Sequence, residues 1–281
     1  MAHRMVFDVF AFLLGLCVGS FANVVAYRAP KGLSIVKPRS YCPHCRQQIR
    51  WYDNLPVLSY LLLGGRCRYC RNRISFRYPL FELLMGVLFL LLALRHGFSP
   101  QFIPGALFLT GMVLVVRTDL EHWLILDEVS VGGAFAGVGL SLLPGGVSPV
   151  SSLVAAGGAF LIFYLIRKVS LSFVRGRPGY VVPPEGYEEE SESFQSGMGW
   201  GDVKLAAMIG AFLGVTASAM AFFSAFLLGS VVGVLLILLR GRSRRVPLPF
   251  GPFMAAGGAL GWFYGSRLWT AYTDLATSVL G

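Results

Sequence analysis

Long apolar runs recur along the whole chain, and they constrain its fold more than any other feature. A helix needs about 20 mostly apolar residues, or a few fewer, to cross a hydrocarbon core of about 30 Å. The runs near this length are approximately 5–26, 79–94, 101–117, 128–144, 151–167, 203–217, 218–239 and 249–272. Only 14% of the residues are charged, whereas soluble domains have about 25%. The sequence therefore predicts an all-α polytopic membrane protein with about eight transmembrane helices.

The runs 203–217 and 218–239 are counted as two spans, although no charged residue separates them within residues 205–239. One helix over this stretch would be about 52 Å long at 1.5 Å per residue, which is too long for a bilayer. Two short spans that turn near Gly214–Ser218 fit better.

The positions of the basic residues predict which loops face the cytoplasm. If the N-terminus is outside, the cytoplasmic regions are 27–78, 117–127, 168–204 and 240–248. Counting Arg167 at the edge of the third region, these regions hold 21 of the 24 Lys and Arg, and the other three are Arg4, Arg95 and Arg267. This asymmetry follows the positive-inside rule and predicts a multi-pass protein of the inner (plasma) membrane. Topology and anionic lipid headgroups then account for the net charge of +10 without a nucleic-acid partner.

The runs and loops divide the chain into three predicted parts. Residues 1–26 form the first span, residues 27–78 form a basic cytoplasmic module, and residues 79–281 form a seven-span domain. The seven-span domain contains an insert at 168–198 that is rich in Pro, Gly, Glu and Ser. Such a composition cannot bury a core, so we expect a flexible cytoplasmic insert.

Two Cys-x-x-Cys pairs in the basic module have the spacing of a zinc site. The four cysteines are Cys42, Cys45, Cys67 and Cys70. Two such pairs supply the four sulfur ligands of a closed, structural Zn²⁺ site, and cytoplasmic thiols stay reduced. A redox pair or four metal-free thiols are the alternatives. Because four sulfurs leave no open coordination position, we expect this zinc to stabilise the module rather than to catalyse a reaction.

Two aspartates are candidates for catalysis. Asp119 follows the third span, and Asp202 opens the sixth span on the same predicted side of the membrane. A carboxylate at the end of a span is costly and usually functional. Two carboxylates that meet can share a proton, so that one acts as a general base toward water and the other as a general acid. This arrangement predicts aspartic-protease chemistry.

Other interpretations of these aspartates remain open in the sequence. Asp202 could simply cap a helix that follows a glycine-rich linker, and Asp127 or Glu128 could replace Asp119 in the pair. We rank Asp127 second because it is also a natural helix N-cap. Around Asp202, we expect Gly199 and Gly201 to permit close backbone approach and Lys204 to position the substrate or the backbone.

These motifs together resemble the type IV prepilin peptidases, which are polytopic aspartic proteases also called leader peptidase/N-methyltransferases. The resemblance covers nearly the whole chain and includes Gly15–Arg28, both Cys-x-x-Cys pairs, Trp51–Tyr60, Arg77–Leu84, Asp119–Asp127 and Gly197–Gly210. The last segment contains the Gly-x-Gly-Asp signature of the family. The chain has Leu126 where the family often has proline, and its insert before Gly197 is longer than usual.

The resemblance implies that Asp119 and Asp202 are the catalytic pair. It also implies substrates that are prepilins or pseudopilins, whose basic leaders are cut after a glycine, and a second activity that methylates the new N-terminus with S-adenosylmethionine. The sequence shows no Rossmann-type glycine fingerprint for this methyl donor. Arg77 and Glu82 are the candidates for the methyl-transfer site, with an ion pair between them as the structural alternative.

Two further functions compete with a peptidase. A non-enzymatic membrane scaffold would use the zinc module to bind a partner, and it predicts that only the Cys and Arg residues of 27–78 matter. A proton-coupled transporter would use Asp119 and Asp202 as proton relays, and it predicts pH-dependent flux without peptide cleavage.

Overall fold

The computed structural model describes residues 2–174, 198–240 and 248–280. The helices are α1 (Ala2–Arg28), α2 (Leu58–Leu62), α3 (Arg77–His96), α4 (Phe102–His122), α5 (Asp127–Leu140), α6 (Pro149–Val174), α7 (Trp200–Arg240) and α8 (Gly251–Leu280). Over these ranges the structure forms no β-strand beyond two isolated bridges. The all-α prediction is confirmed. Contacts divide the chain into two compact units, one up to Thr118 and one from Asp119 onward.

In the first unit, α1 packs along α3 through glycines. A Cβ on Gly15 would lie 2.6 Å from the carbonyl oxygen of Met85, and a Cβ on Gly19 would lie 2.8 Å from the Cα of Glu82. Small residues at such positions let two membrane helices approach closely. Met85, Phe89 and Val113 form the buried core beside this contact.

Between α1 and α3 the chain is mostly irregular. Besides α2, this region contains two 3₁₀ helices, Ala29–Lys31 and Trp51–Asn54. Two antiparallel bridges, Tyr41 with Gln48 and Arg66 with Arg73, each enclose one of the Cys-x-x-Cys pairs. So little regular structure and so few buried apolar residues suit a module that a metal stabilises.

In the second unit, α7 packs against α5, α6 and α8. It is bent at Gly214, whose φ of 70° and ψ of −176° are not helical. The Ser151 hydroxyl accepts a hydrogen bond at 3.1 Å from the N–H of Val215, the residue after the bend. A Cβ on Gly214 would lie 2.7 Å from the same hydroxyl oxygen. The predicted turn near Gly214–Ser218 is therefore present as a kink between two helical halves.

Five of the described helices are long and apolar enough to cross a membrane, namely α1, α3, α4, α6 and α7. The predicted spans also correspond to α5 and α8, but α5 has only 14 residues. Helix α6 continues through Val174, so residues 168–174, which we predicted as part of the insert, are helical. The remainder of the predicted insert, 175–197, lies outside the described residues.

Candidate active site and metal centre

Asp119 lies in the last turn of α4 and is only 6% exposed. Its Oδ2 accepts a hydrogen bond at 2.9 Å from the backbone N–H of Gly251. Gly251 is the first residue of α8, and the first N–H groups of a helix have no partner within that helix. The carboxylate therefore satisfies one of these groups at the positive end of the α8 dipole.

Asp202 is the third residue of α7 and is 9% exposed. Its Oδ2 accepts a hydrogen bond at 3.0 Å from the N–H of Gly199, the residue just before the helix. An acidic side chain at this position that bonds back to the residue before the helix is half of a capping box. The capping interpretation is therefore correct as a local role, and this role uses one of the two carboxylate oxygens.

The segment that follows Asp119 packs against the first turn of α7. A Cβ on Gly201 would lie 2.9 Å from the Cβ of Ile125, so glycine is required for this approach. Ile125 and Leu126 are both buried. The contact between Gly201 and Ile125 therefore places the segment that follows Asp119 against the helical turn that contains Asp202.

Lys204 binds Asp127. Its Nζ lies 2.7 Å from both carboxylate oxygens of Asp127. The Asp127 side chain is 63% exposed, whereas Asp119 is buried. The two alternatives from the sequence therefore occupy different environments, and Lys204 contacts the more exposed acid.

Sequence reasoning missed the contact between Arg167 and Trp200. Arg167 in α6 is buried, and its guanidinium carbon lies 4.5 Å from the centre of the Trp200 ring. Tyr164, one turn earlier, stacks on the same ring with centroids 5.8 Å apart. The available signal was a Tyr–Arg pair spaced by three residues near the end of a span, together with a Trp directly before Gly201-Asp202.

The four cysteines converge in the first unit. Their sulfur atoms all lie within 4.8 Å of one another, and Cys42 Sγ lies 3.8 Å from Cys70 Sγ. Zn–S bonds of about 2.3 Å in a tetrahedron place the sulfurs about 3.8 Å apart, so the residues fit zinc. Arg46 and Arg71, each directly after a Cys-x-x-Cys pair, have φ values of 56° and 59°, which gives both pairs the same turn.

The environment of Cys67 favours its thiolate form. Burial alone opposes ionisation, but hydrogen bonds from the backbone N–H groups of Cys70 and Tyr69 and from neighbouring thiols lower the pKa of Cys67 to about 7. A thiolate is the form that binds zinc.

A bidentate salt bridge between Arg68 and Asp53 links the second cysteine pair to the 3₁₀ helix at 51–54. Arg68 donates from Nε and Nη2 to the two oxygens of Asp53, at 2.7 and 2.6 Å. The hydrogen bonds from Arg68 lower the pKa of the Asp53 carboxyl below its ordinary value. Bidentate arginine–carboxylate pairs of this kind are among the stronger polar contacts.

A cavity of about 430 Å³ lies beside the zinc cluster, within the first unit. Its lining includes Asn23, Tyr41, Tyr60, Tyr78 and Glu82, but not Arg77, which is exposed. Buried Glu82 accepts a 2.7 Å hydrogen bond from the N–H of Val57. Val57 has a φ of 61°, which a β-branched residue rarely adopts. Strain of this kind is concentrated at functional sites.

Asn23 presents a second polar group to this cavity. Its amide nitrogen donates to the carbonyl of Tyr78 at 3.2 Å. Its Oδ1 is buried and has no hydrogen-bond partner among the residues that the structure describes. A buried acceptor without a donor is costly, so a ligand with a donor group fits this position.

Two family models match the chain. The one described as Bacterial Peptidase A24 N-terminal domain matches residues 13–96, and the one described as Type IV leader peptidase family matches residues 106–234. No solved structure matches the chain.

Curated relatives named prepilin leader peptidase/N-methyltransferase align over most of the chain. The Myxococcus xanthus protein is 39% identical over 84% of this chain, and the aligned part spans 65% of that relative's length. The Bacillus subtilis protein is 33% identical over 94% of this chain and 97% of its own. The Pseudomonas aeruginosa protein is 30% identical over 98% of this chain and 96% of its own.

Proposed function

Because this chain belongs to the type IV leader peptidase family, we propose that it removes the basic leaders of prepilins and pseudopilins, after a glycine, with Asp119 and Asp202 as its catalytic acids. The observation that carries the assignment is the pair of buried aspartates in one compact unit. Each accepts a hydrogen bond from a backbone N–H beside the start of a helix.

The chemistry needs the two carboxylates in different protonation states. The ionised acid removes a proton from water as the water oxygen bonds to the scissile carbonyl carbon, and the protonated acid donates its proton to the carbonyl oxygen. The C–N bond of the resulting diol then breaks, and a proton passes to the leaving amine. The apparent pKa values of such a pair belong to both acids together.

The contacts described above support Asp119 rather than Asp127 as the partner of Asp202. Asp127 is exposed and bound to Lys204, so its carboxylate is already engaged by a cation at a hydrated surface. Asp119 is buried, and burial disfavours two adjacent negative charges, so that one proton is retained. In Asp202, the hydrogen bond from Gly199 occupies Oδ2, and the second oxygen can bind water.

The family also carries out N-methylation, and we assign the methyl donor, S-adenosylmethionine, to the cavity beside the zinc cluster. A volume of about 430 Å³ is in the range of cofactor sites. Glu82 can accept hydrogen bonds from ribose hydroxyls and Asn23 Oδ1 from an amine, while the tyrosine rings can contact adenine or the sulfonium cation. When bound, the donor would supply the methyl group, and Zn²⁺ held by the four thiolates would keep the cavity wall in place.

The membrane orientation belongs to the same proposal. An outside N-terminus would expose the zinc module and the ends of α4 and α7 that carry Asp119 and Asp202 to the cytoplasm. The distribution of basic residues in the sequence supports this orientation. The scaffold and the proton-coupled transporter, in contrast, leave the family match unexplained.

The test is an assay of the purified protein with a prepilin and labelled S-adenosylmethionine, in which cleavage and methyl transfer are measured together. We expect Asp119→Asn and Asp202→Asn to abolish cleavage while both variants still methylate a peptide that lacks its leader. Asp274→Asn, at an exposed position in α8, is the matched control and should cleave normally. Full cleavage by either active-site variant would remove that residue from the mechanism.

A further inference from the structure

Arg167 is a buried cation, and two of its three guanidinium nitrogens have no hydrogen-bond partner within the described part of the chain. The residue is 5% exposed. Its Nε and Nη2 atoms are shielded from water and have no hydrogen-bond partner among the described residues. Burying guanidinium nitrogens without acceptors is unfavourable, so we expect another attraction to compensate among the described residues.

The Trp200 ring provides that interaction. The guanidinium carbon lies 4.5 Å from the ring centre, well within the 6 Å at which cations are attracted to an indole face. Tyr164 stacks on Trp200 at an interplanar angle of 29°. Two side chains of α6 therefore hold the ring, which is itself 40% exposed, and the cation that faces it is buried.

Trp200 lies two residues before Asp202, the proposed catalytic acid. It is the first residue of α7, Asp202 is the third, and the hydrogen bond between Gly199 and Asp202 spans the same turn. A ring that is held from α6 restricts the rotation and the translation of this turn.

On the basis of the proposed function, we propose that Arg167 is a positioning residue of the peptidase. It acts through the Trp200 ring to hold the first turn of α7, and with it the Asp202 carboxylate, in the geometry for catalysis. Arg167 itself does not contact the reacting atoms in this proposal.

The experiment compares Arg167→Met, Arg167→Lys and Lys168→Met in leader cleavage. We expect Arg167→Met to lower kcat about tenfold, as loss of a cation–π contact made by a buried guanidinium allows, with KM changed less than about twofold. Arg167→Lys keeps the charge but lacks the flat guanidinium, and should recover only part of kcat. Lys168 is the exposed neighbour on the same helix, so Lys168→Met removes an equal charge and should cleave normally.

A double-mutant cycle shows whether Arg167 acts through Trp200. We expect Arg167→Met combined with Trp200→Ala to be no slower than Trp200→Ala alone, because Arg167 acts through the Trp200 ring in this proposal. We also expect Arg167→Met to alter the fluorescence of Trp200, measured as the difference between variants with and without Trp200→Phe. This second readout does not depend on activity.

Several results would overturn the inference. They are wild-type kcat in Arg167→Met, a defect confined to KM, additive losses in the cycle, or full kcat in Arg167→Lys. If Arg167→Met does not insert into the membrane, the test is Arg167→Lys: its kcat and its Trp200 fluorescence should both differ from those of the wild type. If Asp202→Asn also cleaves normally, the proposed function fails. If Asp202→Asn is inactive and Arg167→Met is fully active, only the positioning role fails.

Discussion

The backbone N–H of Gly251 donates a hydrogen bond to Oδ2 of Asp119, although the two residues are 132 positions apart in the sequence. The donor is at the start of α8 and the acceptor is at the end of α4. Gly251 precedes Pro252, and a residue before proline avoids helical dihedrals because of its Cβ. Glycine lacks this Cβ, so the helix can begin here with an N–H directed at the carboxylate.

This contact distinguishes the structural role of Asp119 from its proposed catalytic role. We expect both Asp119→Asn and Asp119→Ala to abolish leader cleavage, because each removes the ionisable group. Asn keeps an oxygen that can accept the N–H of Gly251, whereas Ala leaves that buried donor without a partner. The Ala variant should therefore be less stable than the Asn variant by about 1–3 kcal/mol, as measured by thermal unfolding in detergent. Equal melting temperatures for the two variants would contradict this account of the hydrogen bond.

A second prediction concerns the exposed pair of Lys204 and Asp127. Asp127→Asn should retain most of the cleavage activity, because the side chain is 63% exposed and such pairs contribute about 0.2–1 kcal/mol. The charge-exchanged double variant, Asp127→Lys with Lys204→Asp, should insert and cleave better than either of its single variants. Cleavage assays over a range of salt concentrations measure both effects. An inactive Asp127→Asn protein, together with an active Asp119→Asn protein, would move the catalytic role to Asp127.

Sequence reasoning succeeded where the information is local. Apolar runs predict helices in a membrane because each residue's hydropathy is independent of its distant neighbours. The kink at Gly214 follows from helix length, and the cysteine cluster follows from the spacing of thiol ligands. The structure confirms these predictions.

The contacts that sequence reasoning missed join distant segments. Nothing near Asp119 indicates that the N–H of Gly251 will reach it. From the sequence, Arg167 counts only as a basic residue at the edge of a cytoplasmic region, because its contact with Trp200 joins two different helices. The helical continuation of α6 to Val174 was missed for a different reason, because a polar helix end and a polar loop have similar compositions.

A third prediction concerns the assigned methyl-donor cavity. Glu82→Gln keeps an oxygen for the N–H of Val57 but removes the negative charge, so the strained loop should persist while the affinity for S-adenosylmethionine falls about tenfold or more, as expected for loss of a charged hydrogen bond. Arg77→Met is the matched comparison, because Arg77 is exposed and does not line the cavity. It should retain the affinity. Equilibrium dialysis with labelled donor measures binding without turnover, and unchanged binding by Glu82→Gln would place the donor elsewhere.

The fourth prediction is that zinc retention depends on pH near neutrality. The pKa of the Cys67 thiol is lowered from its ordinary value of 9.0 to about 7, whereas that of the neighbouring Cys70 is raised to about 11, so the fold favours the thiolate at Cys67 only. For an acid with a lowered pKa, the stabilisation is complete above the unfolded value and is lost as the pH falls through the folded value. Protons also compete with zinc for all four thiols. We therefore expect a chelator to remove zinc increasingly fast as the pH falls from 9 through 7.

Wild-type protein and Cys17→Ser, which changes a cysteine outside the cluster, should each hold one equivalent of zinc at pH 8, whereas Cys67→Ser should not. Less than about half an equivalent in the wild type, or full retention in Cys67→Ser, would show that these thiols do not bind the metal.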